Sequence, residues 1–370
     1  MNHARESKAY HRAKRRLFFA GLALDVIFLS AFFFGGFSVL LKEFSADISS
    51  HFAVLNGLYT AIFIATLYLV HWPLRWFEGF VLEHRFNLSN QTFQQWLFDD
   101  SKQGFVNLIV ALVAIEGIYL ILKAFPETWW LWAGIFWLLL TLGLARLTPN
   151  VIIPLFYKYS PINNESLKNS VLKLFKESRI AIQDAYLINF SSKTKKANAF
   201  ICGLGKSRRV VLSDTLVSEF SIPEIETVIA HEIGHYKHHD ILKLTMIHAA
   251  VVFLGFFLAD RYLTGLMVNL GFSRIDDIAF FPIVALVFMI LGVIVMPVLN
   301  GYSRRIETQA DRFSLVLTKK PDDFITMIRK LGEKNLADFD PHPLIEAFFY
   351  SHPSISKRIV FAQTFLAKSP

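Results

Sequence analysis

The sequence predicts a mainly α-helical membrane protein with about six spans and a smaller α+β portion outside the bilayer. Composition points to the membrane, because 54% of the 370 residues are hydrophobic, 18% are charged and the mean hydropathy is +0.41. Soluble domains are usually about 25% charged. A helix needs about 20 apolar residues to cross a bilayer. Runs of that kind cover residues 18–40, 52–70, 105–125, 129–147, 244–266 and 279–299.

Charged residues near the N-terminus predict the orientation of the spans. Residues 1–16 contain six basic side chains and one acidic side chain, Glu6, and such a basic excess flanks spans on the cytoplasmic side. The first apolar run is too long for a signal-peptide core and lacks a small-residue cleavage site, so we expect an uncleaved anchor. Counting crossings from a cytoplasmic N-terminus places residues 71–104, 148–243 and 300–370 on the same side.

This topology divides the chain into membrane and cytoplasmic segments. The predicted segments are 1–147 with four spans, 148–243 in the cytoplasm, 244–299 with two further spans, and 300–370 in the cytoplasm. Asp25 and Glu116 fall inside predicted spans, where a charge is costly. Each either pairs with a neighbouring helix or faces a wet cavity, and the sequence leaves both readings open.

Net charge and cysteine content exclude several classes of function. The formal charge of +8 would suit nucleic-acid binding, but no RNA-recognition, zinc-finger or basic-zipper pattern accompanies it. We therefore assign the basic residues to membrane-flanking loops and expect no nucleic-acid partner. Cys202 is the one cysteine, which rules out an intrachain disulfide and a multi-cysteine metal site. We expect it to be a small buried residue.

The first cytoplasmic segment shows helix and strand patterns. Residues 162–179 predict an amphipathic helix, and residues 181–190 and 208–216 predict strands, with a turn at 203–207 before the second strand. The apolar positions of the helix are Leu167, Val171, Leu172 and Phe175.

The stretch VIAHEIGHYKHHD, residues 228–240, is predicted to lie on a helix that begins at Ser221, followed by Pro223 and Glu224. His231 and His235 are four residues apart, so they share a helix face and can bind one ion. Glu232 is turned about 100° away and can reach a water molecule beside that ion. This H-E-x-x-H pattern is typical of two zinc ligands and a general base, although it also arises by chance.

We expect the adjacent His238 and His239 to form a solvated face.

A catalytic zinc ion needs a third protein ligand, and Glu307 is the best candidate. Two spans separate it from His235, so the chain returns to the same side of the membrane. Asp311 lies one helical turn later and could accept a hydrogen bond from a ligand imidazole. Alternatively, both carboxylates form salt bridges with nearby arginines. Those arginines are Arg304, Arg305 and Arg312.

Five motifs together resemble the CAAX prenyl protease type 1 family of multi-span gluzincin zinc metalloproteases. They are HEIGH, SRRIETQAD, IIPLFYKYSPI, KKANAFICGLGKSRRVVLSDTL and FFYSHPSISKRI. Along the chain, these motifs follow one another in the same order as in the family. The resemblance covers almost the whole chain. It implies a water-filled chamber enclosed by the membrane helices and an α+β zincin-like domain on the cytoplasmic side. It also implies one Zn²⁺ per chain, bound by His231, His235 and Glu307, with Glu232 as the general base.

The resemblance assigns further residues to substrate. Asn198 matches a position that holds the substrate backbone, with Ala199 and Phe200 beside it; an edge strand here could add the peptide as another strand. Alternatively, Asn198 is a residue of a hairpin turn. His352 and Arg358 match positions near the zinc and suit stabilisation of an oxyanion. Alternatively, His352 only precedes Pro353 at the start of a helix, and Arg358 pairs with an acidic side chain at the surface.

The implied activity is hydrolysis of peptide bonds near the C-terminus of peptide or protein substrates, including lipidated CAAX-like ones. One alternative is a membrane quality-control metalloprotease of broad specificity. A second is a metal-binding transporter, although transporters place their sites at the bilayer midplane between internal repeats. Eukaryotic members usually have seven spans, and the compact form here favours a bacterial inner membrane, with the endoplasmic reticulum as the alternative.

Overall fold

The computed structural model describes residues 2–182, 184–203 and 208–368. Within this part of the chain, six helices are long and apolar enough to span a membrane, as predicted. These spans are His3–Phe34, Phe52–Arg85, Phe93–Ala124, Trp129–Phe156, Asp240–Asn269 and Ile278–Thr318.

The helices and strands follow one another as predicted for a helical membrane protein with a small sheet. The α-helices up to the sheet region are α1 Asn2–Phe34, α2 Phe37–Ile48, α3 Phe52–Trp76, α4 Glu83–Arg85, α5 Phe93–Ala124, α6 Trp129–Leu147, α7 Ile153–Phe156 and α8 Glu165–Glu177. The later α-helices are α9 Asp214–Glu219, α10 Ile222–Lys237, α11 Asp240–Asn269, α12 Phe281–Thr318, α13 Pro321–Lys334, α14 Pro343–Phe349 and α15 Ile355–Lys368. The strands are β1 Tyr159–Pro161, β2 Asp184–Ile188, β3 Ala199–Cys202 and β4 Arg209–Ser213. Short π-helices cover Phe77–Leu82 and Thr148–Ile152, and 3₁₀ turns cover Phe190–Ser192 and Ile278–Phe280.

The first span ends earlier than the apolar run 18–40 suggested. Helix α1 stops at Phe34, and a separate helix, α2, begins at Phe37. Gly36 has a φ of 77°, a left-handed conformation that favours glycine. Two adjacent glycines therefore break the run, whereas hydropathy alone reads through them.

The interior of the membrane bundle is rich in aromatic side chains. Tyr59 and Phe63 are almost fully buried and stack with ring centroids 6.0 Å apart. The Tyr59 hydroxyl and Ser38 Oγ lie 2.6 Å apart, and Ser38 Oγ donates to the Ala279 carbonyl at 2.7 Å. Because a buried polar group in a bilayer needs an internal partner, this chain of hydrogen bonds ties α2 and α3 to the start of the last span.

The two acidic residues inside spans have different surroundings. Asp25 Oδ1 lies 2.8 Å from His71 Nε2, which fits the paired reading. Both carboxylate oxygens of Glu116 are buried and have no hydrogen-bond partner among the described residues. Gly57 faces this carboxylate, since a Cβ there would lie 3.2 Å from Glu116 Oε1.

A four-stranded sheet forms in the predicted cytoplasmic segment. Its order is β1-β2-β4-β3, with β2 and β4 parallel and the other neighbours antiparallel. Strands β2 and β4 lie within the two predicted strand regions, and β3 is an edge strand that the sequence pattern alone did not mark. The predicted turn at 203–207 lies largely outside the described residues. Cys202 ends β3 and is half-buried rather than buried.

Helix α8 packs its apolar face against the sheet and α10 in one core. Leu167, Val171 and Phe175 are buried there as predicted. Leu172 was assigned to the wrong face, because it is 37% exposed and Leu174 is buried instead. The buried face therefore follows 167, 171, 174 and 175.

Candidate metal centre and active site

Helix α10 carries the H-E-x-x-H pattern and starts where the sequence predicted. Ser221 Oγ accepts from Glu224 N at 3.5 Å, and Ser221 N donates to Glu224 Oε2 at 2.8 Å, a reciprocal capping box. Ile225, Ile229 and Ile233 are essentially fully buried in the core. The apolar face thus anchors α10 and fixes the direction of the histidines.

A close approach of two helices brings the third candidate ligand to the histidines. A Cβ on Gly234 would lie 3.1 Å from Ala310 Cα, a tight distance, so the glycine helps α10 and α12 to approach closely. Glu307 lies on α12 one turn before Ala310. The packing of α10 on α12 therefore places a carboxylate beside the paired imidazoles.

His231, His235 and Glu307 form a cluster whose ligand atoms lie within 4.8 Å of one another. The two Nε2 atoms are 3.1 Å apart. Glu307 Oε2 lies 3.2 Å from His231 Nε2, and Glu307 Oε1 lies 3.5 Å from His235 Nε2. Ligands about 2.0–2.1 Å from a tetrahedral zinc ion are about 3.3–3.4 Å apart. The cluster therefore fits a zinc ion, and the buried Glu307 Oε2 beside the His231 imidazole fits a ligand atom.

Each candidate histidine ligand has a carboxylate behind it. His231 Nδ1 lies 2.8 Å from Asp311 Oδ1, and His235 Nδ1 lies 3.1 Å from Asp240 Oδ2. Both aspartates are about 1% exposed. Carboxylates in this position orient a metal-binding imidazole and make it more basic. Asp311 was predicted, whereas sequence reasoning missed Asp240.

The position of Asp240 follows from the turn between α10 and α11. His239 has a φ of 57°, and this left-handed residue separates the end of α10 from the start of α11. Asp240 is the first residue of α11, and its Oδ2 lies 3.1 Å from His235 Nδ1. Its proximity in sequence to a candidate ligand was the available signal, but no regular helical spacing links the two.

Burial and charge set the protonation of the cluster. Burial raises the pKa of Glu232 above its ordinary value, although the neighbouring histidines act in the opposite direction. Burial lowers the pKa of His231, but hydrogen bonding to Asp311 and Glu307 outweighs burial and raises that pKa to about 10. A cation entering here must displace a proton from His231. The acidic surroundings thus favour positive charge at the cluster.

Arg358 does not contact the three candidate ligands directly in the structure. Its Nε and Nη2 donate to Asp311 Oδ2 and Oδ1 at 2.8 and 2.5 Å. Arg358 is 8% exposed and Asp311 1% exposed, so this is a buried bidentate pair. Arg358 therefore contacts Asp311, and Asp311 in turn contacts His231 Nδ1.

His352 lies at the open side of the cluster. Its Nε2 is 3.3 Å from Glu307 Oε1, and its side chain is 56% exposed. Arg304 holds the preceding segment by donating to the carbonyls of Glu346 and Tyr350 at 2.9 and 2.6 Å. An accessible imidazole beside a candidate ligand is placed to meet a molecule entering the site.

Asn198 stands just before the edge strand β3. Its backbone N–H donates to Ser213 Oγ at 3.0 Å, and its Oδ1 accepts from Ala199 N at 2.9 Å. Ala199 and Phe200 continue into β3, which pairs with β4 on one side and is the last strand of the sheet. The other side of β3 is the predicted place for a substrate strand. His238 and His239 do not belong to the cluster.

Comparison with known proteins identifies the family. The model of peptidase family M48 matches residues 161–365. The chain belongs to peptidase family M48. The model described as CAAX prenyl protease N-terminal, five membrane helices, matches residues 2–158. The resemblance drawn from the motifs is confirmed.

Relatives of this M48 peptidase cover most of its length. It is 29% identical over 364 residues to the uncharacterized metalloprotease YhfN of Bacillus subtilis, covering 96% of this chain and 84% of that protein. It is 31% identical over 315 residues to CAAX prenyl protease 1 of Saccharomyces cerevisiae, covering 79% and 68%. The crystal structure of S. mikatae Ste24p matches with a TM-score of 0.87 at 23% identity, covering 98% of this chain and 89% of that one, which establishes the shared fold. The protein is a multi-pass membrane metalloprotease and therefore an enzyme.

Proposed function

We propose that this M48 peptidase is a zinc-dependent endopeptidase that cleaves near the C-terminus of peptide or lipidated, CAAX-like substrates. The observation that carries the proposal is the cluster of two imidazole nitrogens and one carboxylate, spaced 3.1–3.5 Å apart as zinc ligands are. The match to the CAAX prenyl protease N-terminal model supports the choice of substrate class.

In this proposal, His231, His235 and Glu307 hold one Zn²⁺ ion per chain. When bound, zinc supplies Lewis acidity that lowers the pKa of a water ligand toward ~7 and polarises a carbonyl. Asp311 and Asp240 keep the Nε2 atoms of the two histidines directed at the ion, because each holds the opposite ring nitrogen.

Glu232 acts as the general base. It takes the proton of the attacking water and delivers it to the leaving amine. The burial that raises its pKa brings that group closer to the pH at which a carboxylate can both accept and return a proton. His352 is the proposed donor to the oxyanion, since its imidazole is exposed at the open side of the cluster.

Arg358 is proposed to act indirectly, through Asp311, without contacting the oxyanion. Both of its contacts with Asp311 are buried, so its cationic charge steadies the carboxylate that orients His231. We therefore assign it a positioning role within the catalytic site.

The substrate is proposed to bind as an extra strand on β3. Main-chain hydrogen bonds along an exposed sheet edge give affinity without demanding a sequence. Asn198 would fix the register, with Ala199 and Phe200 pairing with the peptide. A prenylated substrate would keep its lipid in the chamber or the bilayer, whereas a soluble peptide would need the strand contacts alone.

We infer that the segments 1–147, 148–243, 244–299 and 300–370 are organised as the sequence predicts, with both termini and the active site in the cytoplasm. The basic excess before the first span supports this orientation. A bacterial inner membrane is the favoured location and the endoplasmic reticulum the alternative. The kinship with YhfN of Bacillus subtilis favours the former.

The test compares purified protein in detergent with its Glu232→Gln variant on quenched-fluorescence peptides, farnesylated and not. The wild type should cleave, and Glu232→Gln should retain zinc by elemental analysis while losing about 10²–10⁴-fold in kcat, the usual contribution of a general base. Glu219→Gln is the matched control, since Glu219 pairs with Lys334 at the surface. Activity retained in Glu232→Gln would refute the base, and cleavage of unrelated unfolded proteins at similar rates would favour a quality-control protease.

A further inference from the structure

A pocket of about 370 Å³ opens beside the candidate metal centre. It lies between the N-terminal part of α1 and the segment 349–352, and His352 forms part of its lining. Since His352 Nε2 is 3.3 Å from Glu307 Oε1, the pocket adjoins the place where a peptide bond would be cut. Its volume is in the range that holds a small molecule or a short peptide end.

One wall of this pocket carries a cation with no counter-ion. Lys14 and Arg15 both line it. Lys14 Nζ is compensated by Glu78 and Glu83 at 3.1 and 3.3 Å. Arg15 has neither an ion pair nor a hydrogen bond with any residue that the structure describes. An unpaired guanidinium at the edge of a pocket is suited to bind an anion.

The opposite wall offers a polar group that also lacks a partner. The Tyr350 hydroxyl is buried and makes no hydrogen bond within the described part of the chain. Buried polar atoms are nearly always satisfied, so an unsatisfied hydroxyl lining a pocket is consistent with a ligand group. Arg15 and Tyr350 are thus independent signs of a polar ligand at one place.

The lining also includes two aromatic side chains, beside the polar residues His11 and Ser351. Phe18 and Phe349 pack edge to face with ring centroids 5.4 Å apart and both line the pocket. A ligand matched to this pocket combines an apolar side chain with a negatively charged group. The C-terminal residue of a peptide has both.

We propose that Arg15 and Tyr350 bind the C-terminal carboxylate of the substrate, with Phe18 and Phe349 contacting the last side chain. The inference rests on the proposed function. It deepens that function, because a carboxylate held at a set distance from the metal centre fixes how far from the chain end the enzyme cuts. Capture of a terminal carboxylate is a known mode of peptide recognition.

The test compares one farnesylated peptide ending in Cys-Val-Ile-Ala as the free acid and as the C-terminal amide. Wild-type kcat/KM should favour the acid by about 10- to 100-fold, the range for a hydrogen bond to a charged group. In Arg15→Gln, kcat/KM for the acid should fall toward that for the amide. Arg15→Lys should keep part of the preference, because it keeps the charge but not the planar fork, and Tyr350→Phe should reduce it.

The matched control is Arg16→Gln, which removes the same charge from the neighbouring exposed residue and should leave the acid-to-amide ratio at the wild-type value. Equal rates for acid and amide in the wild type would overturn the proposal. So would an Arg15→Gln variant that slows both peptides by the same factor, since that indicates a structural role.

A binding measurement separates this proposal from the proposed function. Fluorescein-labelled acid and amide peptides are titrated with zinc-loaded Glu232→Gln protein, and anisotropy gives the two affinities. If the wild type cleaves no peptide, the endopeptidase function fails, but tighter binding of the acid that disappears in Arg15→Gln, Glu232→Gln still supports the pocket. Equal affinities for acid and amide reject it.

Discussion

At the scale of single residues, the site depends on carboxylates that do not themselves belong to the candidate ligand set. Asp311 and Asp240 each hold the Nδ1 side of one histidine, at 2.8 and 3.1 Å. Asp311 also takes both donors of Arg358. The Asp311 carboxylate therefore links His231 to Arg358 on the C-terminal helix α15.

Removing the charge of Asp311 should weaken metal binding. Asp311→Asn keeps the size of the side chain but leaves Arg358 without a counter-ion, and we expect a loss of about 10- to 100-fold in metal affinity. Competition with a chromophoric chelator measures this loss. Asp340→Asn makes the same change at an exposed position and should keep wild-type affinity. An unchanged affinity in Asp311→Asn would show that this contact does not orient the ligand.

At the scale of elements, the pairing of α10 with α12 assembles the site. The two helices touch at Gly234 and Ala310, where a Cβ would lie 3.1 Å from backbone. Ser314, one turn after Ala310 on α12, donates its Oγ hydrogen to the Thr227 carbonyl of α10 at 2.7 Å. This hydrogen bond joins the two helices at a second point. The three candidate ligands therefore all lie on helices, whereas His352 lies on a loop.

Widening this helix contact should disturb both stability and metal binding. Gly234→Val places branched carbon atoms against Ala310, and overpacking of this kind costs about 1–3 kcal/mol. We expect a lower melting temperature in detergent and a reduced zinc content. Gly143→Val is the matched control, because nothing lies within 4 Å of a Cβ at Gly143. Equal melting temperatures for the two variants would contradict a close contact at Gly234.

At the scale of the whole molecule, an even number of crossings unites two distant parts of the chain. Two crossings, α11 and the N-terminal part of α12, separate His231 and His235 from Glu307, which lies near the other end of α12. The N-terminal helix α1 belongs to the same assembly, since its Tyr10 hydroxyl donates to Glu83 Oε1 at 2.6 Å and lies 3.1 Å from Lys196 Nζ. Membrane and catalytic regions therefore share an interface.

The proposed orientation predicts opposite labelling of two introduced cysteines. In a Cys202→Ser background, Ser273→Cys lies in the short turn between α11 and α12, and Asp340→Cys lies between α13 and α14. In bacterial spheroplasts, an impermeant maleimide should label Ser273→Cys at once and Asp340→Cys only after lysis. The reverse pattern would place the active site outside the cytoplasm.

The membrane class, the number of spans and the metal-binding pattern of α10 were open to prediction because they depend on local information. Apolar run length, the capping pattern at Ser221 and the four-residue spacing of the histidines all act within a few turns of one helix. The glycine break after Phe34 was missed because hydropathy averages over a window. The exposure of Leu172 was missed because the buried face of α8 depends on which elements pack against it.

Local patterns in the sequence predict a six-span helical membrane protein in which two histidines and a carboxylate return to one side of the bilayer. The tertiary structure sets which carboxylate lies beside each histidine, since Asp240 follows the left-handed residue His239 and lies 3.1 Å from His235. It likewise paired Arg358 with Asp311 and brought Arg15 to Tyr350 beside the metal centre. Arg358 and Asp311, and likewise Arg15 and Tyr350, are far apart in the chain, so packing between elements, which no local pattern records, brings them together.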